Sequence, residues 1–193
     1  MPFRIVLDIR RIRDFGIGTY IRNLPATLAR IDSDNTYLLT GSKADLRELP
    51  ALPPNFEPCE YRREDRSHTE HLAYPFFVHH LHADLCHIPL NMVPLCLPRP
   101  YVVTVHDMST LLFDQSSGWR KQLRLFRAQR TLLRAERVLA VSDATRHDVI
   151  AFLNVPASRI RRIYNAPDPK FIEHARDNSP ESAGAYQLEM RRV

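Results

Sequence analysis

The feature that most constrains the fold is a regular alternation of short apolar runs with helical hydrophobic patterns. Seven runs have the length of a strand, and most are separated by a segment with the 3.6-residue period of a helix. The predicted strands are Phe3–Ile9, Thr36–Thr40, Phe56–Tyr61, Asp84–Ile88, Tyr101–Val105, Val138–Val141 and Arg159–Tyr164. The predicted helices are Gly18–Ile31, Lys43–Leu49, Ser67–His82, Gly118–Ala135 and Ser142–Leu153.

These patterns predict an open parallel sheet. Runs such as Tyr101–Val105 and Val138–Val141 are apolar on both faces, which is typical of strands covered by helices on each side. The predicted fold class is α/β, a doubly wound, mostly parallel Rossmann-like sheet. We expect one such domain over residues 1–171, followed over 172–193 by a linker and the start of a helix. Ligands of such sheets bind beyond the carboxyl ends of the strands.

The first strand runs into a stretch rich in arginine and glycine. Gly16 and Gly18 allow the backbone to approach a ligand, and the start of the following helix favours an anion such as phosphate. Arg10, Arg11 and Arg13 are expected to add positive potential there. An ordinary strand-to-helix turn with solvated arginines explains the segment equally well.

Spacing argues against two common phosphate-binding motifs. The dinucleotide fingerprint requires a third glycine where this chain has Ile21. A P-loop requires an earlier glycine where the chain has Thr36, and Gly41-Ser42-Lys43 lacks the Gly-Lys-Ser/Thr order. A Rossmann NAD site and a P-loop site are therefore both disfavoured.

The charge and the cysteine content of the chain limit the classes of binding partner and the cellular compartment that can be expected. The 27 lysines and arginines against 22 acidic residues give a net charge of +5, which suits phosphate-bearing ligands, anionic lipid heads or nucleic acid without choosing among them. Cys59, Cys86 and Cys96 show no paired spacing, and we expect Cys86 and Cys96 to be buried, reduced thiols of a cytoplasmic protein. Asp8 and Arg10 interrupt the first apolar run, so neither a signal peptide nor a membrane span is expected.

Polar residues follow two of the predicted strands. His106 can donate a hydrogen bond to a sugar hydroxyl or a phosphate, and Asp107 can fix the tautomer of that histidine or cap the next segment. A histidine that only completes a turn is the alternative. Ser142 is placed to cap a helix, and the lack of a G-x-S-x-G elbow argues against a hydrolase triad.

The sequence gives little support to a metal site. Asp32-Ser33-Asp34 spells the D-x-D of metal-dependent sugar transferases, but it is predicted as a solvated turn at the opposite end of the sheet. Several histidines have the spacing that would place them on one side of a helix, where they could bind zinc. Pro75 is expected to interrupt that helix, and no cluster of cysteine or acidic residues completes the zinc site. Those histidines are His68, His71, His79 and His82.

The predicted helix Gly118–Ala135 is strongly basic. Its apolar side is expected to hold Leu125, Phe126, Leu132 and Leu133. Contact with an anionic membrane and an ordinary solvated basic face are the two interpretations. The basic stripe consists of Arg120, Arg124, Arg127, Arg130 and Arg134.

Four ordered blocks resemble the N-terminal domain of GT-B glycosyltransferases of family 4. They are Gly16–Leu24, Val103–Asp107, Ala135–Thr145 and Ile163–Asp168. The resemblance implies a retaining transferase of polysaccharide biosynthesis that uses a nucleotide-sugar donor, a sugar or lipid-linked acceptor, no metal, no other cofactor and no nucleic acid. This half would bind the acceptor, and a missing C-terminal domain would hold most of the donor. The cysteine usage favours a location in the cytoplasm, and the basic helix allows peripheral contact with the inner membrane surface.

The resemblance also assigns candidate site residues. His106 is the candidate catalytic residue, since it matches the histidine that contacts the transferred sugar. Relatives often carry arginine at the position of Thr19, and a Glu-x7-Glu donor segment is not found in this chain. The candidate substrate- and phosphate-binding residues are Gly16, Ile17, Gly18, Thr19, Asp107, Ser142 and Asn165.

Three functions remain open at this point. The leading one is half of a sugar transferase that is inactive alone, because one wall of its cleft is missing. The second is a non-catalytic module that binds a phosphate or sugar, or docks on a partner. The third is an epimerase of sugar nucleotides with the same fold.

Overall fold

The computed structural model describes residues 1–62, 69–90, 93–112 and 118–168. Within these residues all seven predicted strands are present, and every neighbouring pair is parallel. The order across the sheet is β3-β2-β1-β4-β5-β6-β7. The strands are β1 Arg4–Asp8, β2 Thr36–Gly41, β3 Phe56–Glu60, β4 Leu85–Ile88, β5 Tyr101–Val105, β6 Arg137–Ala140 and β7 Ile160–Arg162.

The helices largely follow the predicted pattern, although the second ends at Leu46 rather than Leu49, and three further differences are larger. The first helix begins at Phe15 rather than Gly18, a short helix at Ser109–Leu112 was not predicted, and the third helix continues through Pro75. The Pro75 ring is buried, so packing offsets the lost backbone hydrogen bond. The helices are α1 Phe15–Ile31, α2 Lys43–Leu46, α3 Glu70–His80, α4 Ser109–Leu112, α5 Trp119–Arg134 and α6 Asp143–Leu153, with a 3₁₀ turn at Ala157–Arg159.

Two hydrophobic clusters cover the two faces of the sheet. Along β1, Val6 belongs to the cluster that includes residues of α3, α5 and α6, whereas Leu7 belongs to the cluster that packs against α1 and α2. Leu38 and Leu39 of β2 alternate in the same way. This alternation follows from the two-residue period of a strand, and it confirms the doubly wound arrangement.

The strand order reverses between β1 and β4, which places a crevice beyond their carboxyl ends. The segment that leaves β1, the start of α1 and Pro89 after β4 meet at this edge, and His106 after β5 lies beside them. The topology thus gathers the residues that follow the strands into one region.

Helix α5 departs from the predicted arrangement. Its buried residues are Ala128, Thr131 and Leu132. Phe126 and Leu133, which were expected on the buried side, are 58% and 37% exposed. The prediction for these two residues is wrong because the helix has apolar residues on both its inner and outer sides, so hydrophobic periodicity alone cannot select the face that meets the sheet.

The three cysteines differ in burial. Cys86 is buried as expected, whereas Cys96 is exposed and Cys59 is half-buried, so the prediction of a buried Cys96 is wrong.

The predicted linker over 172–193 lies outside the described residues. No helix in the described part of the chain has the length and apolar character needed to cross a bilayer.

Candidate functional site

The start of α1 replaces the predicted glycine loop. Gly16 and Gly18 lie in the first turns of this helix rather than before it. A Cβ built on Gly18 would lie 2.3 Å from the carbonyl oxygen of Ile12, whereas one built on Gly16 meets nothing within 4 Å. Gly18 is therefore required by contact with its own chain, and Gly16 is the glycine that faces open space.

The arginines near α1 do not form a free positive patch. Arg10 lies between two buried carboxylates, 2.7 Å from Asp8 and 2.9 Å from Glu70. Its guanidinium carbon lies 3.6 Å from the ring centre of Tyr74. The hydroxyl of Tyr61 donates to Glu70 from 2.9 Å. This cluster joins the end of β1 to the first turn of α3 and leaves the Arg10 side chain only 5% exposed.

The other two arginines are paired as well. Arg11 lies 2.7 Å from the carboxylate of Asp14, and Arg13 lies 3.0 Å from that of Asp45. All three arginines therefore have carboxylate partners, which reduce the positive potential that they offer to a ligand. Asp14 is the N-cap residue of α1, but its side chain makes no capping hydrogen bond.

A chain of polar side chains leads to His106. The imidazole Nε2 of His87 and the hydroxyl of Tyr20 each contact the hydroxyl of Thr104, at 2.8 and 3.3 Å. The ring of Tyr20 then meets the ring of His106 edge to face, with centroids 4.9 Å apart. The two ends of this chain are His87 in β4 and His106 directly after β5, and Thr104 of β5 lies between them.

Burial keeps both histidines of this chain neutral near pH 7. It lowers the pKa of His87 to about 4, because a buried imidazolium loses most of its hydration. Burial also lowers the pKa of His106, while the charge of Asp107 and a hydrogen bond to the backbone of Pro89 act in the opposite direction. A neutral imidazole at His106 can hold a hydrogen bond without carrying a full charge.

Asp107 and Ser142 cap helices. Asp107 accepts hydrogen bonds from the backbone and the hydroxyl of Ser109, at 2.8 and 2.5 Å. Ser142 accepts from the backbone of Thr145 at 3.0 Å, which confirms the predicted cap of α6. The hydroxyl of Thr145 in turn donates to the carbonyl of His106 at 3.1 Å, so this cap also holds the backbone of the histidine.

A cavity of about 400 Å³ opens beside this chain of residues. One wall is a face of α1, and the opposite wall is the segment that follows β7. Asn23 of α1 also donates to Asp168 at 3.3 Å, which ties the two walls together. The lining residues are Gly16, Thr19, Tyr20, Asn23, Leu24 and Thr27 of α1, and Tyr164, Asn165, Ala166 and Pro167 opposite.

The cavity brings together some of the predicted site residues and not others. Gly16, Thr19 and Asn165 line it. Ile17 instead packs against both hydrophobic clusters, and Gly18 is buried. His106 does not line the cavity, but its ring contacts that of Tyr20, which does.

Sequence reasoning missed Tyr20, Asn23 and Thr27. With Gly16 they follow the spacing i, i+4, i+7 and i+11, which places all four on one side of a helix. That spacing is the signal that could have found them, had the helix been started at Phe15.

The predicted D-x-D turn lies away from this site. Asp32 is the C-cap residue of α1, and it accepts a hydrogen bond from the hydroxyl of Tyr37 at 2.6 Å and from the side-chain amide of Asn35 at 2.7 Å. These bonds lower the pKa of Asp32 to about 2. The described part of the chain contains no group of three or more metal-ligating side chains.

Comparison with known proteins gives the family. The model of Glycosyltransferase Family 4 matches residues 16–171. The chain belongs to this family. Its fold is that of one half of a GT-B glycosyltransferase, as the four sequence blocks predicted. No curated protein matches the chain.

A solved structure agrees with the fold. The crystal structure of a glycosyltransferase from Rickettsia africae is similar with a TM-score of 0.51 at 11% identity. The alignment covers 98% of this chain and 50% of that one, so the chain spans about half the length of this neighbour. At this identity the likeness concerns the fold.

Proposed function

We propose that this glycosyltransferase module binds the acceptor of a retaining transfer from a nucleotide-sugar donor. The observation that carries the proposal is the cavity between α1 and the segment after β7, at the edge of the sheet where ligands of this fold bind. Its lining is largely apolar but includes polar side chains such as Thr19 and Asn23, which suit the hydroxyl groups of a sugar.

His106 is the proposed contact to the transferred sugar. Its neutral imidazole follows β5 directly, and the ring of Tyr20 and the backbone of Pro89 fix its orientation. The hydrogen bond that a sugar hydroxyl donates to this neutral imidazole strengthens as positive charge develops on the sugar ring in the transition state, because that charge makes the hydroxyl a better donor. The chemistry then needs no enzyme nucleophile, because the leaving diphosphate accepts the proton of the acceptor on the face where the acceptor arrives.

The start of α1 is the proposed place where the diphosphate of the donor binds. The backbone at Gly16 faces open space, and the carboxylate of Asp14 is held by Arg11 instead of capping the helix. The helix dipole favours an anion at this end. Because the flanking arginines are paired, the expected phosphate contact comes from backbone N–H groups rather than from guanidinium groups.

A second domain is part of the proposal. The chain spans half the length of its structural neighbour, and a single module offers one wall of a cleft that must hold donor and acceptor together. We therefore expect the purified 193-residue chain to release no nucleoside diphosphate from a panel of UDP-, GDP- and ADP-sugars. Sustained turnover that disappears with His106→Ala would contradict this part of the proposal.

The decisive experiment uses the enzyme expressed from its full reading frame. We expect His106→Ala to lower kcat/KM by about 30- to 1000-fold, the effect of losing one hydrogen bond that strengthens in the transition state. The matched control is His147→Ala, since the His147 side chain is 81% exposed on α6. Thermal melting must show that both variants fold, and proton NMR of the product must show the anomeric configuration of the donor.

The competing functions predict different outcomes. A sugar-nucleotide epimerase converts the donor with no acceptor present, and a binding module releases no product with any donor. An unchanged kcat/KM for His106→Ala with an unchanged melting curve would make the histidine a turn residue and remove the proposed site.

A further inference from the structure

The outward face of α5 carries large apolar side chains. Trp119 and Phe126 are 69% and 58% exposed, and Leu123 and Leu133 lie on the same face. The spacing i, i+4, i+7 and i+14 places these four residues opposite the side that packs on the sheet through Leu132. We call these four residues the apolar strip.

The same helix is strongly basic. It contains six lysines and arginines and no acidic residue, while the whole chain has a net charge of only +5. Arg130 is exposed between Phe126 and Leu133, and the guanidinium of Arg120 lies 5.5 Å from the ring centre of Trp119. Cations therefore border the apolar strip along its length.

We propose that this face of α5 docks on the surface of an anionic lipid bilayer. A bilayer offers phosphate groups to arginine and an apolar layer a few ångströms below to tryptophan, phenylalanine and leucine. A second copy of the chain is a poor occupant, because two such faces would bring the exposed arginines of both copies together. The proposal does not depend on the proposed transfer, since docking is measured without any sugar.

Docking of α5 would place the candidate site near the membrane. Helices that connect parallel strands run back against them, so α5 begins at the carboxyl edge of the sheet and ends at the opposite edge. Trp119 therefore lies at the same edge as His106 and the cavity. An acceptor with a lipid anchor would approach from that direction.

Trp119 gives a direct readout, because it is the one tryptophan of the chain. The probes are vesicles of phosphatidylcholine alone and vesicles with about 30 mol% phosphatidylglycerol. We expect a blue shift of Trp119 emission and co-sedimentation with the anionic vesicles only. Raising the salt from about 0.05 to 0.5 M should weaken the binding at least tenfold. Equal binding to both vesicles, or none to either, would overturn the proposal.

A pair of apolar variants tests insertion. Leu123→Ser with Phe126→Ser keeps Trp119 as the reporter and should reduce the vesicle affinity at least tenfold. The control is Leu72→Ser with Phe76→Ser, which removes two exposed apolar side chains from α3, each 68% exposed. Binding that survives the change in α5, or falls equally in the control, would show that the apolar strip does not insert.

A pair of charge variants tests the attraction. Arg120→Gln with Arg130→Gln should lower the vesicle affinity at least tenfold. The control Arg47→Gln with Arg161→Gln removes two exposed charges outside α5 and should bind like the unmodified chain. If both double variants lose vesicle affinity equally, the attraction comes from the net charge of the chain and not from this face of α5. Self-association through α5 without vesicle binding, seen by light scattering, would assign the face to a second copy and overturn the proposal.

Discussion

His87 shows how burial of a single side chain links stability to pH. Its folded-state pKa of about 4 lies below the ordinary value of 6.5, so the unfolded chain binds more protons between these values. The stability that neutral His87 contributes is fully present above pH 6.5 and is lost as the pH falls toward 4. We expect the free energy of unfolding to drop by about 2 kcal/mol from this residue between pH 7.5 and pH 5.

The measurement is urea unfolding at the two pH values, with His87→Gln as the comparison. Glutamine can still bond the hydroxyl of Thr104 but does not titrate. The contribution of His87 is the loss of unfolding free energy between pH 7.5 and pH 5 in the unmodified protein minus the same loss in His87→Gln. An NMR titration that places the pKa of His87 near 6.5 would contradict the expectation.

Two glycines of the same helix should respond oppositely to alanine. In Gly18→Ala the new Cβ meets the carbonyl oxygen of Ile12 at 2.3 Å, so backbone must shift, and we expect a loss of about 1–3 kcal/mol of unfolding free energy. In Gly16→Ala the Cβ meets open space, and the better helix propensity should make the change neutral or stabilising by up to about 1 kcal/mol. Chemical denaturation of both variants measures the pair, and equal losses would show that Gly18 is not a packing position.

At the scale of elements, local patterns predicted the sheet but not its side-chain partners. The seven strands follow from apolar runs with turn residues between them, and the caps of Asp107 and Ser142 follow from polar residues next to helices. The partners of Arg10 and Arg13 include Glu70 and Asp45, which are 60 and 32 residues away in the sequence. Such ion pairs depend on how the strands and helices assemble. The hydrophobic periodicity of the sequence carries no information about that assembly.

The buried cluster around Arg10 is expected to hold β1 to α3. Arg10→Met leaves the carboxylates of Asp8 and Glu70 buried without their cation, and we expect a loss of about 3–5 kcal/mol of unfolding free energy. Arg11→Met is the matched control, because the Arg11–Asp14 pair is partly exposed and worth less than about 1 kcal/mol. Urea denaturation distinguishes the two, and a small loss in Arg10→Met would mean that the two carboxylates find other partners or become protonated.

At the scale of the whole molecule, the candidate site joins the two ends of the described chain. Asn23 in α1 bonds Asp168 after β7, and the cavity lies between these segments. The position of His106 directly after a strand could be predicted from the apolar run before it, whereas the cavity could not. Its walls are about 140 residues apart in the sequence, so only the assembled sheet brings them together.

Filling this cavity should separate acceptor binding from chemistry. Thr27 lines the cavity two turns beyond Tyr20, so Thr27→Trp should block the acceptor without touching His106 or the start of α1. In the enzyme from the full reading frame we expect the acceptor KM to rise at least about tenfold while kcat and the donor KM stay within about twofold. Thr27→Ser is the control that keeps the cavity open. If Thr27→Trp folds normally and instead raises the donor KM, the cavity holds the donor, and the assignment of this half to the acceptor is wrong.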